Sequence, residues 1–189
     1  MVNFRICPVC GSKDSIPIVY GYPGMELFEQ ERAGKVRLGG CVISEGQPEY
    51  SCQKCGYEWN RQQSIDGAYD KITVLKASVG GYFGGYYSVV IDLKELHVTW
   101  QHEPHEIESV SRKNIRQATA QKFREQLKGL DILKWKARYR NPGVCGGTQW
   151  TVDLMTDKKT IHKYGDNNYP EQWDAFCRLV AKTTGKAFR

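Results

Sequence analysis

The sequence predicts an α+β protein in two parts: a small N-terminal region pinned by cysteines, then a larger antiparallel sheet domain with two helices. Three observations carry that expectation. Two Cys-x-x-Cys pairs, Cys7/Cys10 and Cys52/Cys55, stand in the first third of a 189-residue chain. Runs alternating apolar and polar residues recur between positions 72 and 164, the period of a half-buried strand. Stripes at helical spacing occupy only two segments of that second part, near 114–130 and 170–180. Hydrophobic residues make up 40% of the chain and charged residues 25%, which supports a packed core and argues against disorder. The expected boundaries are 1–61 for the cysteine region, 62–70 for a polar, pattern-poor linker and 71–189 for the sheet domain.

No apolar run approaches the roughly 20 residues that cross a bilayer, and the start of the chain lacks a signal-peptide pattern. The expectation is therefore a cytoplasmic protein with no membrane contact. In that setting seven cysteines, an odd number, read as metal binding before disulfides. Cys7-Pro8-Val9-Cys10-Gly11 and Cys52-Gln53-Lys54-Cys55-Gly56 each bring two sulfurs to one tight turn. Two such turns make a four-sulfur tetrahedral shell, the ligand set of one structural Zn²⁺. The glycine after each second cysteine lets the backbone curl around the sulfurs. The alternatives are a redox Cys-x-x-Cys, which normally occurs singly, and a pair of disulfides.

On these residues the stretch from about 7 to 59 resembles the zinc-ribbon family, in a four-cysteine form of uncharacterised bacterial type. The resemblance implies two knuckles at the ends of short β-hairpins, and a metal, but no activity. Tyr57 and Trp59 alternate after the second knuckle as a strand there would. The departure is the 41-residue separation of the pairs (11–51). Within it, Pro23, the acidic run Met25–Glu31 and Gly34 predict a short helix. Val36-Arg37-Leu38 then reads as a strand entering a turn at Gly39-Gly40-Cys41, with Cys41 expected as a buried free cysteine.

In the larger part, strands are expected at Ile72–Leu75, Tyr86–Ile91 and Leu96–Trp100, with Lys94-Glu95 turning between the last two. Asn114, with Gln117 three residues on, predicts a capped helix through about Lys128. Its core stripe would be Ile115, Thr119, Phe123, Leu127 and Leu130, with Lys113, Arg124 and Lys128 opposite. Leu133, Trp135, Ala137 and Tyr139 alternate with Lys134, Lys136, Arg138 and Arg140, predicting a strand with four cations on one face. Trp150–Leu154 and Ile161–Tyr164 return as strands around a turn at Asp157-Lys158-Lys159. Pro170 opens a last helix with Trp173, Phe176, Cys177 and Val180 on one side. The similar outlines around Gly84-Gly85 and Gly146-Gly147 raise a β-β-β-α duplication as an expectation.

The net charge of +6 is concentrated: residues 105–150 hold ten cations against four anions. A localised basic segment is the electrostatic footprint of an anionic partner. The function expected is a zinc-containing, non-enzymatic binding protein contacting nucleic acid through Lys134, Lys136, Arg138 and Arg140. The alternatives are an anionic, nucleotide-like small molecule, bound or processed, and a protein-interaction adaptor. No acid–base or nucleophile constellation is legible. The His102–Glu106 segment reads as an exposed loop, Cys145 lacks an adjacent base, and Gly80–Gly85 lacks the ending of a phosphate loop. Trp150 reads as core, and the 164–169 loop as a polar, aromatic rim.

Overall fold

The computed structural model describes residues 3–81, 84–104, 108–141, 143 and 146–189. Cys145, His105 and Glu106, singled out above, lie outside the described residues. The chain divides into two compact units, Met1–Ala68 and Tyr69–Arg189. The class is α+β, with two mostly antiparallel sheets and four α-helices among the described residues.

In the first unit, β1 (Ser15–Val19), α1 (Met25–Arg32), β2 (Arg37–Leu38), β3 (Tyr50–Cys52) and β4 (Glu58–Trp59) form a sheet of order β2-β1-β3-β4 beside one helix. β1 pairs parallel with β2 and antiparallel with β3. The β3–β4 hairpin carries the second cysteine pair in its turn, while the first pair precedes β1. This is a ribbon-like start with the predicted helix inserted. α1 buries no residue, so its existence rests on local signals such as Glu26 in its first turn and Arg32 in its last. The core is small: Cys7, Cys52 and Trp59, with Tyr50 against them. Residues 62–70, expected as a polar, pattern-poor linker, lie within the helix α2 (Arg61–Asp70). That helix shows little apolar periodicity, which is why it reads as a linker.

The second unit is one seven-stranded sheet built from β5 (Val74–Gly81), β6 (Gly85–Asp92), β7 (His97–Glu103), β8 (Ser109–Asn114), β9 (Arg138–Arg140), β10 (Gln149–Met155) and β11 (Thr160–Asp166). The order is β8-β7-β6-β5-β10-β11-β9, antiparallel except for β9 against β11. α3 (Gln117–Gly129) and α4 (Trp173–Thr184) supply its helices. Pleating puts Leu75, Ala77, Val79, Val89, Ile91, Val98, Trp100, Trp150, Val152 and Leu154 on one side, all buried. The Trp150 ring centre lies 4.6 Å from that of Trp173 at a 35° tilt and meets Trp135 edge-on at 6.2 Å, so α4 covers that side. Trp150 is core, 1% exposed.

Several expectations change. Asn114 ends β8 rather than capping a helix, and α3 begins at Gln117 after Arg116. The face it buries is Ala120, Phe123 and Leu127, with Thr119 exposed. The predicted strand over 133–140 is divided. Ile132–Lys134 form a single 3₁₀ turn after Asp131, whose φ of 50° breaks the helix, and only Arg138–Arg140 join the sheet. Two neighbours, Ile132 and Leu133, are both buried there, which a strand's alternation does not permit. The duplication fails on topology: β5-β6-β7 are consecutive neighbours, whereas β9 reaches β11 in parallel with β10 beyond it. His102 lies at the end of β7, not in a loop, with its ring stacked 4.0 Å from Tyr87.

Candidate functional site

Two groups of side chains stand out, one in each unit. In the first, the sulfur atoms of Cys7, Cys10, Cys52 and Cys55 all lie within 4.8 Å of one another. Cys7 and Cys55 are 3.7 Å apart, Cys10 and Cys52 3.6 Å. A tetrahedron with metal–sulfur bonds of about 2.3 Å has edges of about 3.8 Å, so these separations suit a single central ion.

The backbone explains why the sulfurs converge. The Gly11 amide donates to the Cys7 carbonyl at 3.0 Å, and the Gly56 amide to the Cys52 carbonyl at 2.9 Å. The Cys7 amide donates to Ser12 and the Cys52 amide to Tyr57, each at 2.9 Å. Both turns thus share one hydrogen-bond pattern, closed by glycines at φ 71° and 72°. That left-handed conformation is the reason for glycine there. Trp59 fixes the base of the hairpin by donating from Nε1 to the Phe4 carbonyl at 2.8 Å.

The electrostatics of the thiols also suit a cation. Burial pushes Cys52 up, but the backbone amides of Cys55 and Lys54 and the neighbouring thiols pull it down from 9.0 to about 7. For Cys55 the Tyr57 backbone hydrogen bond lowers the value, yet burial and the sulfurs of Cys10, Cys52 and Cys7 outweigh it and push it up to about 12. One sulfur ionises easily and its neighbour then resists. A dication among them would remove that conflict and make four thiolates compatible. The four cysteines are a donor set fit to hold one metal ion. Cys41 does not join them. It is exposed rather than buried, following Gly40 (φ 89°) beside the equally exposed Val42 and Ile43.

The second group lies on the side of the large sheet opposite the Trp150 core. Register places Arg138 beside Tyr164, Tyr164 beside Thr151, and Thr151 beside Ser78. One step along, His162 is beside Asp153, and Asp153 beside Lys76. These residues share one face because paired positions point the same way. The Arg138 and Arg140 guanidiniums sit 5.7 and 5.8 Å from the centre of the Tyr164 ring. Arg140 Nη2 donates to the Tyr164 hydroxyl at 3.2 Å. The Ser78 and Thr151 hydroxyls are 2.7 Å apart, and His162 Nδ1 is 2.5 Å from Asp153 Oδ1.

The four cations named from the sequence are all exposed, but not as one row. Arg138 and Arg140 project together from the edge strand β9. Lys134 belongs to the 3₁₀ turn and pairs with Asp131 at 2.9 Å. Lys136 precedes β9, its amide donating to the Tyr139 hydroxyl at 3.0 Å. The basic segment of the sequence is also distributed, since β8 and β9 form opposite edges of the sheet. The Asp153–His162 pair escaped sequence reasoning. Nine positions separate them, and only strand register brings them together.

No family model matches this chain, and no curated protein matches it. No described helix is long and apolar enough to cross a membrane.

Proposed function

We propose that the protein binds nucleic acid through the β9 edge and adjoining sheet face of its second unit. The observation that carries this is the pair Arg138 and Arg140, both on one face, both against Tyr164, and neither in an ion pair with a carboxylate among the described residues. Guanidiniums free of acidic partners are available to phosphate, and an aromatic ring between them offers a stacking surface. Charge supports the same reading. Residues 69–189 contain twenty lysines and arginines against thirteen acids, whereas residues 1–68 contain seven against eight. Lys134 and Lys136 flank this surface as secondary contacts. We place the protein in the cytoplasm.

The first unit is read as a zinc ribbon. An all-sulfur tetrahedral set favours Zn²⁺, held by Cys7, Cys10, Cys52 and Cys55 in a structural role. A protein partner for this unit is the second reading, favoured by Tyr22, Met25, Val42 and Ile43, each at least 74% exposed.

Fluorescence anisotropy with RNA and DNA oligonucleotides across a salt series tests the main proposal. Two phosphate contacts contribute about 1.4 to the log–log salt slope on a single strand and about 1.8 on a duplex. The R138Q/R140Q variant should flatten the slope by that amount, and K134Q should change it less because its ammonium is already paired. Absence of binding at low salt would remove the proposal in favour of a nucleotide-like ligand or a protein.

A further inference from the structure

We propose that the same sheet face cleaves RNA, with His162 as general base and Tyr164 as general acid. This rests on the nucleic-acid reading and goes beyond it to an activity. Asp153 Oδ1 is a carboxylate acceptor 2.5 Å from His162 Nδ1, so in the neutral imidazole Nδ1 is the donor to it and Nε2 is the acceptor. Nε2 has no hydrogen-bond partner among the described residues. The imidazole is therefore oriented by Asp153, with 54% of its side chain exposed to an incoming substrate. Tyr164 follows two positions later on the same strand and the same face, its ring 5.7 Å from the imidazole. Its hydroxyl accepts from Arg140 and keeps its own proton to give. Arg138 and Arg140 supply the positive charge that a phosphorane requires.

The choice of RNA follows from what the face lacks. No hydroxyl or thiol of the described chain hydrogen-bonds His162, so the base has no protein nucleophile to activate. A 2′-hydroxyl next to a phosphodiester brings its own. In the proposed step His162 Nε2 takes the 2′-hydroxyl proton and the 2′-oxygen bonds to phosphorus. The bond from phosphorus to the 5′-oxygen breaks, and that oxygen takes the Tyr164 proton. The imidazolium then returns a proton to the phenolate through water. The products are a 2′,3′-cyclic phosphate and a 5′-hydroxyl, with atoms and charge balanced. His162 and Tyr164, alternate residues of one strand on one face with rings 5.7 Å apart, can both reach a phosphodiester seated over them. Asp153 acts through His162 and is a positioning residue.

The experiment uses the full metal-loaded chain with a 5′-labelled single-stranded RNA, its DNA counterpart, and the RNA carrying one 2′-O-methyl linkage. Cleavage of RNA to cyclic-phosphate ends, none of DNA, and a block at the methylated linkage are expected. H162N and Y164F should each lower the rate at least 100-fold, the scale of one proton transfer. H162N should keep oligonucleotide affinity within about threefold. D153N should retain affinity and reshape the pH–rate profile, with partial recovery in D153E. RNA that binds but stays intact would overturn this inference and leave the binding proposal standing. RNA that neither binds nor breaks would overturn both. Equal cutting of DNA, or full activity in H162N, would refute the assigned chemistry.

Discussion

Gly165→Ala should be among the most damaging small substitutions in the second unit. A Cβ on Gly165 would lie 2.2 Å from Trp150 Nε1, 2.4 Å from its Cε2 and 2.5 Å from the Asn168 carbonyl oxygen. None of these can yield cheaply. The indole is 1% exposed and wedged between Trp135 and Trp173, and its Nε1 donates to the same Asn168 carbonyl at 2.9 Å. Overpacking a filled core costs about 1–3 kcal/mol. Stranding a buried donor adds about 1–3 kcal/mol. A total near 2–6 kcal/mol in a unit of 121 residues corresponds to a melting-point drop of about 8–24 °C. Gly129→Ala is the matched control, at the last position of α3 with nothing within 4 Å of the added methyl. It should be neutral or stabilise by up to about 1 kcal/mol, because alanine loses less backbone freedom on folding. Thermal melts followed by near-ultraviolet circular dichroism, which reports tryptophan packing, read both variants. A G165A protein melting within 2 °C of wild type would mean that the indole is not seated against this strand, and the register of β10 on β11 would be wrong.

Elemental analysis should find one zinc per chain, and Cys52→Ser should lower that content and loosen the first unit, whose core is chiefly Cys7, Cys52 and Trp59. Full zinc retention in C52S would exclude Cys52 as a ligand. Lys163, 3% exposed with its ammonium on the Trp135 carbonyl, is held below its usual 10.5 by burial. The unfolded chain therefore binds more protons than the folded one in the window just below 10.5, and wild-type stability should rise there relative to K163M as pH increases. Parallel stability curves for the two proteins by urea titration would contradict that burial. In alkylation followed by peptide mass analysis, exposed Cys41 should react quickly and buried Cys177, pushed up to about 12 by burial, should not.

What the sequence made legible was whatever a short window determines. The Cys-x-x-Cys-Gly turns are closed by bonds between residues four and five apart, so spacing alone reveals them. Trp150–Leu154 and the α4 stripe were legible because one side of each is buried and the pattern records it. Elements without such a contrast were not. β8 has no buried residue, and Pro17 interrupts the strand signal of β1. α2 has little apolar periodicity and buries only Ser64 and Tyr69. The 133–140 alternation was a true record of exposure for its four cations but not of conformation, since a 3₁₀ turn followed by extended chain exposes the same residues.

The candidate site was illegible for a different reason: it is a product of register. Asp153 meets His162, and Thr151 meets Tyr164, only because the turn closed between Thr156 and Lys159 sets the β10–β11 pairing. The same pleat separates chemistry from stability. On β10 the buried residues are 150, 152 and 154 while the site residues are 151 and 153. On β11 the buried residues are 163 and 165 while the site residues are 162 and 164. Substituting a site residue therefore alters the exposed face without opening the core. Moving one position along β11, to Lys163 or Gly165, strikes the packing that holds β9 and its two arginines in place. Loss of RNA cleavage with an intact fold in H162N, beside a lowered melting temperature in G165A three residues away, is the pattern the proposed site predicts.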